Sequence, residues 1–168
     1  MQGGFLLDGG VHHAAGLRKL LGDDNAVVSL TAQTALISEH LPPIDTFNAV
    51  LKTKTGAFGA YCCSSGSTLQ AFDFHIACEH GAVHAESVKV TTIRGTGSGA
   101  PKEVKEFAKT SGVKEEVAAW VESLVSGQPH PEQSPELALG DLELQEAVFT
   151  SGDQDGKRQT LEFQVVAA

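Results

Sequence analysis

An acidic residue and two histidines lie close together near the start of this 168-residue sequence. Asp8 and His12 are four positions apart, and His13 follows directly. On a helix, residues four apart share one face, so the carboxylate would lie beside an imidazole. A carboxylate in that place fixes the tautomer of the imidazole and stabilises its protonated form, as a general base acting on an alcohol requires. Asp8 and His12 are therefore candidate catalytic residues, although Asp8 as a helix N-cap beside a surface histidine explains the same spacing.

A glycine-rich segment further along superficially matches the fingerprint of dinucleotide-binding proteins. Gly95, Gly97 and Ala100 have the spacing G-x-G-x-x-A after a predicted strand. The fingerprint requires an apolar helix directly after it, whereas Pro101 and a charged segment follow here. We therefore expect a glycine-rich hairpin loop at this place and no phosphate site.

Side chains of the types that bind zinc lie close together around a predicted turn: His75, Cys78, His80 and His84. Because side chains alternate between the two faces of a strand, a turn between two strands is expected to send them to different faces. We therefore interpret them as ordinary strand and turn residues, and we expect no metal site.

The elements that must position the candidate residues follow from apolar periodicity. Residues 9–21 and 113–124 carry apolar side chains at helical spacing. Ser134 followed by Pro135 is typical of a helix start, and we expect this helix to run to about residue 151. Alternation and turn residues predict strands over 25–41, 47–52, 58–62, 71–78, 82–93 and 161–165.

The order of these elements indicates the α+β class. Strands joined by short turns pair antiparallel, and a run of strands followed by a run of helices is typical of this class. We therefore expect one domain over residues 1–168, an open and mainly antiparallel sheet with helices on one face. On one predicted strand, the side chains of Phe47 and Val50 point to opposite faces of the sheet, and on the next those of Phe58 and Tyr61 do the same. Both faces of the sheet are therefore partly apolar. A second copy of the chain is the natural cover for the free face, which predicts a homo-oligomer.

Composition excludes some classes of partner. The net charge of −9 at pH 7 offers no basic face for phosphates, so we expect no nucleic-acid partner. No apolar run approaches the roughly 20 residues that cross a bilayer, and no secretory signal is visible. Cys62 and Cys63 are adjacent and are poor disulfide partners on a strand, because their side chains point to opposite faces. Reduced cysteines without a signal or a membrane segment predict a cytoplasmic protein.

Several segments, taken in order, resemble one family of enzymes. GGFLLDGGVHHAAGLRKLLG at 3–22 is similar to a G-G-x-x-x-D-x-G-x-H…L-L-G segment, and FNAVLKTKTGAFGAYCCSS at 47–65 to a strand, glycine turn and strand. FHIACEHGAVHAE at 74–86 resembles a later hairpin, and residues 115–157 resemble a closing pair of helices around S-P-E-x-A. The family is that of glucose–fructose oxidoreductase and inositol dehydrogenase (Gfo/Idh/MocA), and the resemblance covers nearly the whole chain.

The resemblance implies that this chain is a C-terminal domain with a fold like that of the C-terminal domain of glyceraldehyde-3-phosphate dehydrogenase. In the Gfo/Idh/MocA family this domain shapes the substrate pocket and forms the dimer. Family members oxidise a secondary alcohol of a sugar, inositol or diol, and a separate N-terminal Rossmann domain binds NAD or NADP. That domain and its E-K-P motif are absent from these residues, so we expect no turnover by this chain alone. His12 matches the family's catalytic histidine and Asp8 its partner acid. Asp8 and His13 are expected to bind the substrate.

Two functions follow from this comparison. The first is the substrate-binding and dimerisation part of an NAD(P)-dependent oxidoreductase acting on CH–OH groups. The second is a non-catalytic binding or scaffold domain that kept the fold without turnover. The first function requires His12 for turnover, whereas the second does not. The presence of both Asp8 and His12 favours the first function.

Overall fold

A computed structural model describes residues 3–68 and 71–165 and confirms the α+β class. The chain divides into two compact units, Met1–Thr68 with Ser123–Ala168, and Leu69–Glu122. The described strands form two antiparallel four-stranded sheets. In chain order the elements are α1 (Gly4–Leu21), a short 3-10 helix (Asp23–Asn25), β1 (Val27–Ala35), β2 (Thr46–Thr53), β3 (Phe58–Ser64), β4 (Asp73–Cys78), β5 (Gly81–Glu86), β6 (Lys89–Arg94), β7 (Lys102–Glu106), α2 (Val113–Ser126), α3 (Pro135–Asp153) and β8 (Gln159–Thr160).

The first unit is a sheet in the order β3-β2-β1-β8 with α1 and α3 on one face. Burial alternates along β2, where Phe47, Ala49 and Leu51 are buried and the residues between them are exposed. Ala49 pairs with Tyr61 of β3, which is also buried, so the hairpin presents one apolar face to the helices. The core of this unit consists of Leu6, Ala14, Val27, Leu30, Ala32, Phe47, Ala49, Leu51, Tyr61, Leu144, Ala147, Val148 and Leu161.

A side chain of helix α3 hydrogen-bonds to β1 where the edge strand β8 is too short to pair with it. We expected a strand over 161–165, but the observed strand β8 lies just before it and has only two residues, Gln159–Thr160. These two residues pair with Leu30 and Ser29 of β1. Further along β1, the buried hydroxyl of Ser151 accepts a hydrogen bond from the N–H of Ala32 at 2.8 Å. A buried backbone donor is thus satisfied by a helix side chain.

The second unit is a sheet in the order β4-β5-β6-β7 and departs from the predicted strands in two places. The strand expected over 82–93 is two strands, β5 and β6, that pair antiparallel. β7 follows the glycine-rich segment and was not predicted. Its sequence, KEVKE, holds a single apolar residue, so it has no apolar alternation from which a strand could be recognised, and all five residues are exposed.

The two later helices form where the sequence predicts them. Ser134 is the N-cap of α3, and its side chain accepts a hydrogen bond from the N–H of Leu137 at 3.2 Å. The apolar stripe at 113–124 lies on α2, but none of the α2 residues is buried, and Trp120 is 57% exposed. Helical periodicity predicted the helix correctly but not the exposure of its apolar stripe.

Cys62, Cys63 and Cys78 are free thiols. No helix among the described residues combines the length and the apolar character that crossing a membrane requires.

Candidate functional site

Asp8 and His12 lie on the side of α1 that faces away from the core. The buried residues of this helix are Leu6, Gly10 and Ala14, spaced four apart. Positions two residues further along are rotated by about 200° around the helix axis, which turns Asp8 and His12 to the opposite side. Both side chains are exposed. Neither therefore contributes to packing in the part of the chain that the structure describes.

The position of Asp8 within α1 removes one interpretation of the Asp8–His12 spacing. The helix begins at Gly4 and not at residue 9, and its N-cap is Gly3 in the left-handed conformation. Asp8 therefore lies one turn inside the helix and is not a cap. Asp8 and His12 share a helix face, as the spacing predicts, although no hydrogen bond joins these two described side chains.

His13 has a different environment from its neighbour His12. It is half-buried, and its Nδ1 lies 3.7 Å from the Sγ of Cys63 on β3. Burial, together with the nearby charge of His12, lowers the pKa of His13 below its ordinary value. Burial also raises the pKa of the Cys63 thiol, with a smaller contribution from Cys62. His13 is therefore a neutral imidazole against a neutral thiol near pH 7, whereas His12 is directed to solvent.

A buried glutamine fixes the helix that carries these residues. Gln145 on α3 is fully buried, and its Nε2 donates to the carbonyl of Gly10 at 2.9 Å and to the hydroxyl of Tyr61 at 2.8 Å. One side chain thus connects α3 to α1 and to β3. Because Gly10 lies between Asp8 and His12 in sequence, Gln145 holds the segment that presents both candidate residues.

A separate cleft of about 670 Å³ lies near the C-terminal end of α1. Arg18 lines this cleft, forms an ion pair with Asp141 of α3 and donates to the carbonyl of Leu137 at 2.8 Å. Asp8, His12 and His13 do not line it. The cleft therefore does not unite the predicted site residues, and its charged groups are partly used in joining α1 to α3.

The glycine-rich fingerprint does not form a nucleotide site. Gly95–Ala100 is the turn between β6 and β7, which pair antiparallel. The N–H of Arg94 donates to the carbonyl of Pro101 at 3.0 Å across this turn. No helix follows the turn directly, so the helix N-terminus that would bind a pyrophosphate is missing there. The structure thus agrees with the predicted hairpin loop.

The zinc-type side chains are distributed differently from our prediction. His75 and His84 are directly opposite each other in the β4–β5 pair, so they share a face of the sheet. Cys78 is three residues from His75 and points to the other face, and His80 lies in the turn. The prediction was therefore wrong for the pair His75 and His84, because it took no account of strand register.

Sequence reasoning also missed the acidic residue beside these histidines. Asp73 is two residues before His75 on β4 and therefore lies on the same face. Its Oδ2 lies 3.0 Å from His75 Nε2 and 3.4 Å from His84 Nε2. Hydrogen bonds from His75 first, and from His84, hold the pKa of the Asp73 carboxyl below its ordinary value against a smaller effect of desolvation. The D-x-H spacing in the sequence was the available signal.

Comparison with known proteins agrees with this architecture. The sequence model of a family described as "Oxidoreductase family, C-terminal alpha/beta domain" matches residues 1–160. Dehydrogenase FPY6 of Fusarium mangiferae is 37% identical over 168 residues, which is 97% of this chain and 48% of that protein. The chain thus spans about half the length of this relative.

Solved structures show the same arrangement of elements. An oxidoreductase from Thermotoga maritima superposes with a TM-score of 0.78 at 26% identity, over 95% of this chain and 45% of that one. An oxidoreductase from Agrobacterium radiobacter, in complex with NAD⁺, L-tartaric acid and magnesium, has a TM-score of 0.70 at 19% identity, over 92% of this chain and 47% of that one. In both cases this chain corresponds to somewhat less than half of the longer protein.

Proposed function

Since this chain belongs to the Gfo/Idh/MocA oxidoreductase family, as its C-terminal α/β domain, we propose that it is the substrate-binding part of an NAD(P)-dependent oxidoreductase acting on CH–OH groups. Its substrates would be sugars, inositols or diols with a secondary alcohol. The L-tartaric acid bound by the Agrobacterium protein also carries secondary alcohol groups.

The observation that carries this proposal is the exposed pair Asp8 and His12. A residue near a helix start can serve structure by burying an apolar side chain on the core-facing stripe or, if it is an acid, by capping the helix. These two residues do neither, since they lie inside α1 and face away from its core. A carboxylate one turn before an imidazole remains available to bind a substrate and move a proton.

In the proposed reaction His12 accepts the hydroxyl proton of the substrate alcohol. The C–H bond of the same carbon breaks with its electron pair, and the C–O bond becomes a carbonyl. Asp8 stabilises the imidazolium that forms on His12 and accepts a hydrogen bond from a second substrate hydroxyl. His13, held at the edge of the sheet by its neutral contact with Cys63, contributes to the wall of the substrate site.

NAD or NADP would supply the hydride acceptor, as the family resemblance implies. The fingerprint at Gly95–Ala100 does not fit this cofactor, because it is a hairpin turn without a following helix. We therefore assign to the described residues only the binding of substrate and the transfer of its proton.

The open face of the first sheet supports our proposal that the protein acts as a homo-oligomer. Its free thiols support the proposal that it acts in the cytoplasm, where cysteines stay reduced. On the face opposite the helices, Val50 is 58% exposed and Phe58 is 84% exposed. Val50 pairs with Ala60, and Phe58 lies two residues from Ala60 on the same face of β3, so these exposed apolar side chains are neighbours. A second copy of the same sheet would cover this surface.

Replacement of His12 tests the catalytic role. The chain is joined behind the part of the Fusarium dehydrogenase that it does not match, and NAD(P)-dependent oxidation of a panel of polyols and sugars is measured. We expect His12→Asn to lower turnover by about 100-fold or more, because general-base catalysis contributes that much. We expect a smaller loss for Asp8→Asn, since Asp8 acts through His12 and through substrate binding.

The matched control is His80→Ala, which removes an exposed histidine from a turn in the other unit. Circular dichroism and the unfolding midpoint confirm that each variant is folded. If the folded fusion turns over equally well with and without His12, the non-catalytic scaffold function replaces our proposal. The unfused chain, measured in parallel, is expected to show no turnover.

A further inference from the structure

A cluster of two histidines and one aspartate occupies one face of the second sheet and includes none of the residues of the proposed substrate site. His75 and His84 are directly opposed across β4 and β5, with ring centroids 3.8 Å apart and ring planes within 18°. Both Nε2 atoms are turned to the same oxygen of Asp73, at 3.0 Å and 3.4 Å. The three side chains come from two paired strands, so the backbone register fixes their spacing.

The separations among these atoms are those found around a bound transition metal. Ligand atoms about 2.1 Å from a tetrahedral zinc ion lie about 3.4 Å from one another. The two Nε2–Oδ2 distances are close to this value, and all three ligand atoms lie within 4.8 Å of one another. Small side-chain rotations would place the two imidazole nitrogens and the carboxylate oxygen on one ion.

The chemistry of the three groups selects the class of ion. Imidazole suits zinc, nickel and copper, whereas calcium and magnesium prefer sites made only of oxygen. We propose that Asp73, His75 and His84 bind a divalent transition-metal ion of the zinc class through two Nε2 atoms and one carboxylate oxygen. Binding requires that each histidine carries its proton on Nδ1, which leaves the Nε2 lone pair for the metal.

The surroundings are compatible with a site of this kind. His84 is the least exposed of the three, with 31% of its side chain accessible, and His75 the most, with 67%. Glu86, the residue paired with Asp73, forms an ion pair with Lys89 at 2.7 Å, so the charge of this lysine is matched by Glu86. Three protein ligands leave a fourth position open to water. The bound ion would join β4 to β5 independently of the reaction proposed for α1.

Metal titration of the complete chain tests the proposal. Untagged protein is freed of metal with a chelator, and Zn²⁺ binding is measured by calorimetry. Co²⁺ is added in parallel, because its visible absorption reports coordination geometry. We expect one equivalent of Zn²⁺ per chain, and a higher unfolding midpoint when the ion is present. His75→Ala and His84→Ala should each weaken binding by at least about tenfold, and Asp73→Asn should weaken it less.

Two variants separate this site from other metal-binding side chains. His80→Ala removes the neighbouring turn histidine, and Cys78→Ser removes the thiol on the opposite face of β4; both should bind Zn²⁺ as the original chain does. If the original chain binds no stoichiometric Zn²⁺, the cluster is a metal-free hydrogen-bonded group and the proposal is wrong. Equal Zn²⁺ affinity of His75→Ala and the original chain would overturn it as well.

Discussion

At the scale of single residues, Asp45 shows how a charged group is buried without an opposite charge. Its side chain is almost completely buried, and its two oxygens accept hydrogen bonds from the N–H groups of Ile37 and Ser38 at 3.0 and 2.7 Å. The hydroxyl of Thr46 adds a third at 2.9 Å. Burial raises the pKa of Asp45, but these hydrogen bonds outweigh burial and hold the pKa below the ordinary value. The carboxylate thereby organises the segment between β1 and β2.

Replacing this carboxylate should reduce stability in a pH-dependent way. A group with a lowered native pKa stabilises the fold above its unfolded pKa, here 3.8, and loses that contribution as the pH falls through the native value. We expect Asp45→Asn to lower the free energy of unfolding by about 1–3 kcal/mol at pH 7. The difference from the original chain should shrink below pH 4. Urea unfolding at several pH values measures both quantities.

The control for this experiment is Asp155→Asn. Asp155 is exposed and has a positive φ of 54°, a conformation that asparagine accepts readily. Its replacement should change the unfolding free energy by less than about 0.5 kcal/mol. A constant difference between Asp45→Asn and the original chain down to the lowest pH would contradict the role given to the Asp45 charge.

At the scale of elements, α1 and α3 approach closely where one of them carries glycine. Gly140 on α3 lies against Arg18 of α1, and a Cβ there would lie 2.3 Å from Nη2 of Arg18 and 2.6 Å from the carbonyl oxygen of Phe163. The same arginine forms the ion pair with Asp141. The glycine is therefore required by the space between the helices and not by its backbone conformation.

Alanine at Gly140 should destabilise the first unit although alanine favours helices. Side-chain and backbone atoms would have to move, at a cost of about 1–3 kcal/mol, against a gain of at most about 1 kcal/mol in helix propensity. We expect a lower midpoint for thermal unfolding. The matched variant is Gly9→Ala on α1, where a Cβ would meet only the Phe5 ring at 3.7 Å. That variant should leave the midpoint unchanged or raise it, and the same response from both variants would exclude this packing account.

At the scale of the whole molecule, one face of the first sheet leaves apolar side chains exposed. The helices cover the side of Phe47 and Leu51, while Val50 and Phe58 remain on the other side. An uncovered apolar face of an antiparallel sheet is typical of a surface that meets another protein. The proposed occupant is a second copy of this chain.

A charge placed on that face tests the homo-oligomer. We expect the original chain to behave as a dimer in size-exclusion chromatography with light scattering. Val50→Glu should weaken association by at least about tenfold, because the carboxylate would lose its hydration in the interface. Leu139→Glu, which changes a 45% exposed apolar residue of α3, should leave the dimer intact. An original chain that stays monomeric at every concentration would refute the role of this face.

Elements with a strong local pattern could be predicted from the sequence. The β2–β3 hairpin follows from its alternation, and the start of α3 from Ser134 and Pro135, since capping and alternation depend on neighbouring residues. β7 could not be predicted, because four of its five residues are charged and its sequence has no apolar alternation. The division of 82–93 into β5 and β6 was missed for a related reason, since a short turn interrupts an otherwise strand-like run.

For the candidate site, too, local features could be predicted from the sequence and long-range contacts could not. That Asp8 and His12 share a helix face follows from the sequence alone, because helical spacing is a local property. The family and the α+β class also follow from the sequence, through the order of its segments. The tertiary structure was needed to show that Asp8 is not a cap, that His13 contacts Cys63, and that Asp73 lies beside two histidines. Those contacts depend on strand register and on helix packing, which are set by residues far apart in the chain and cannot be derived from spacing alone.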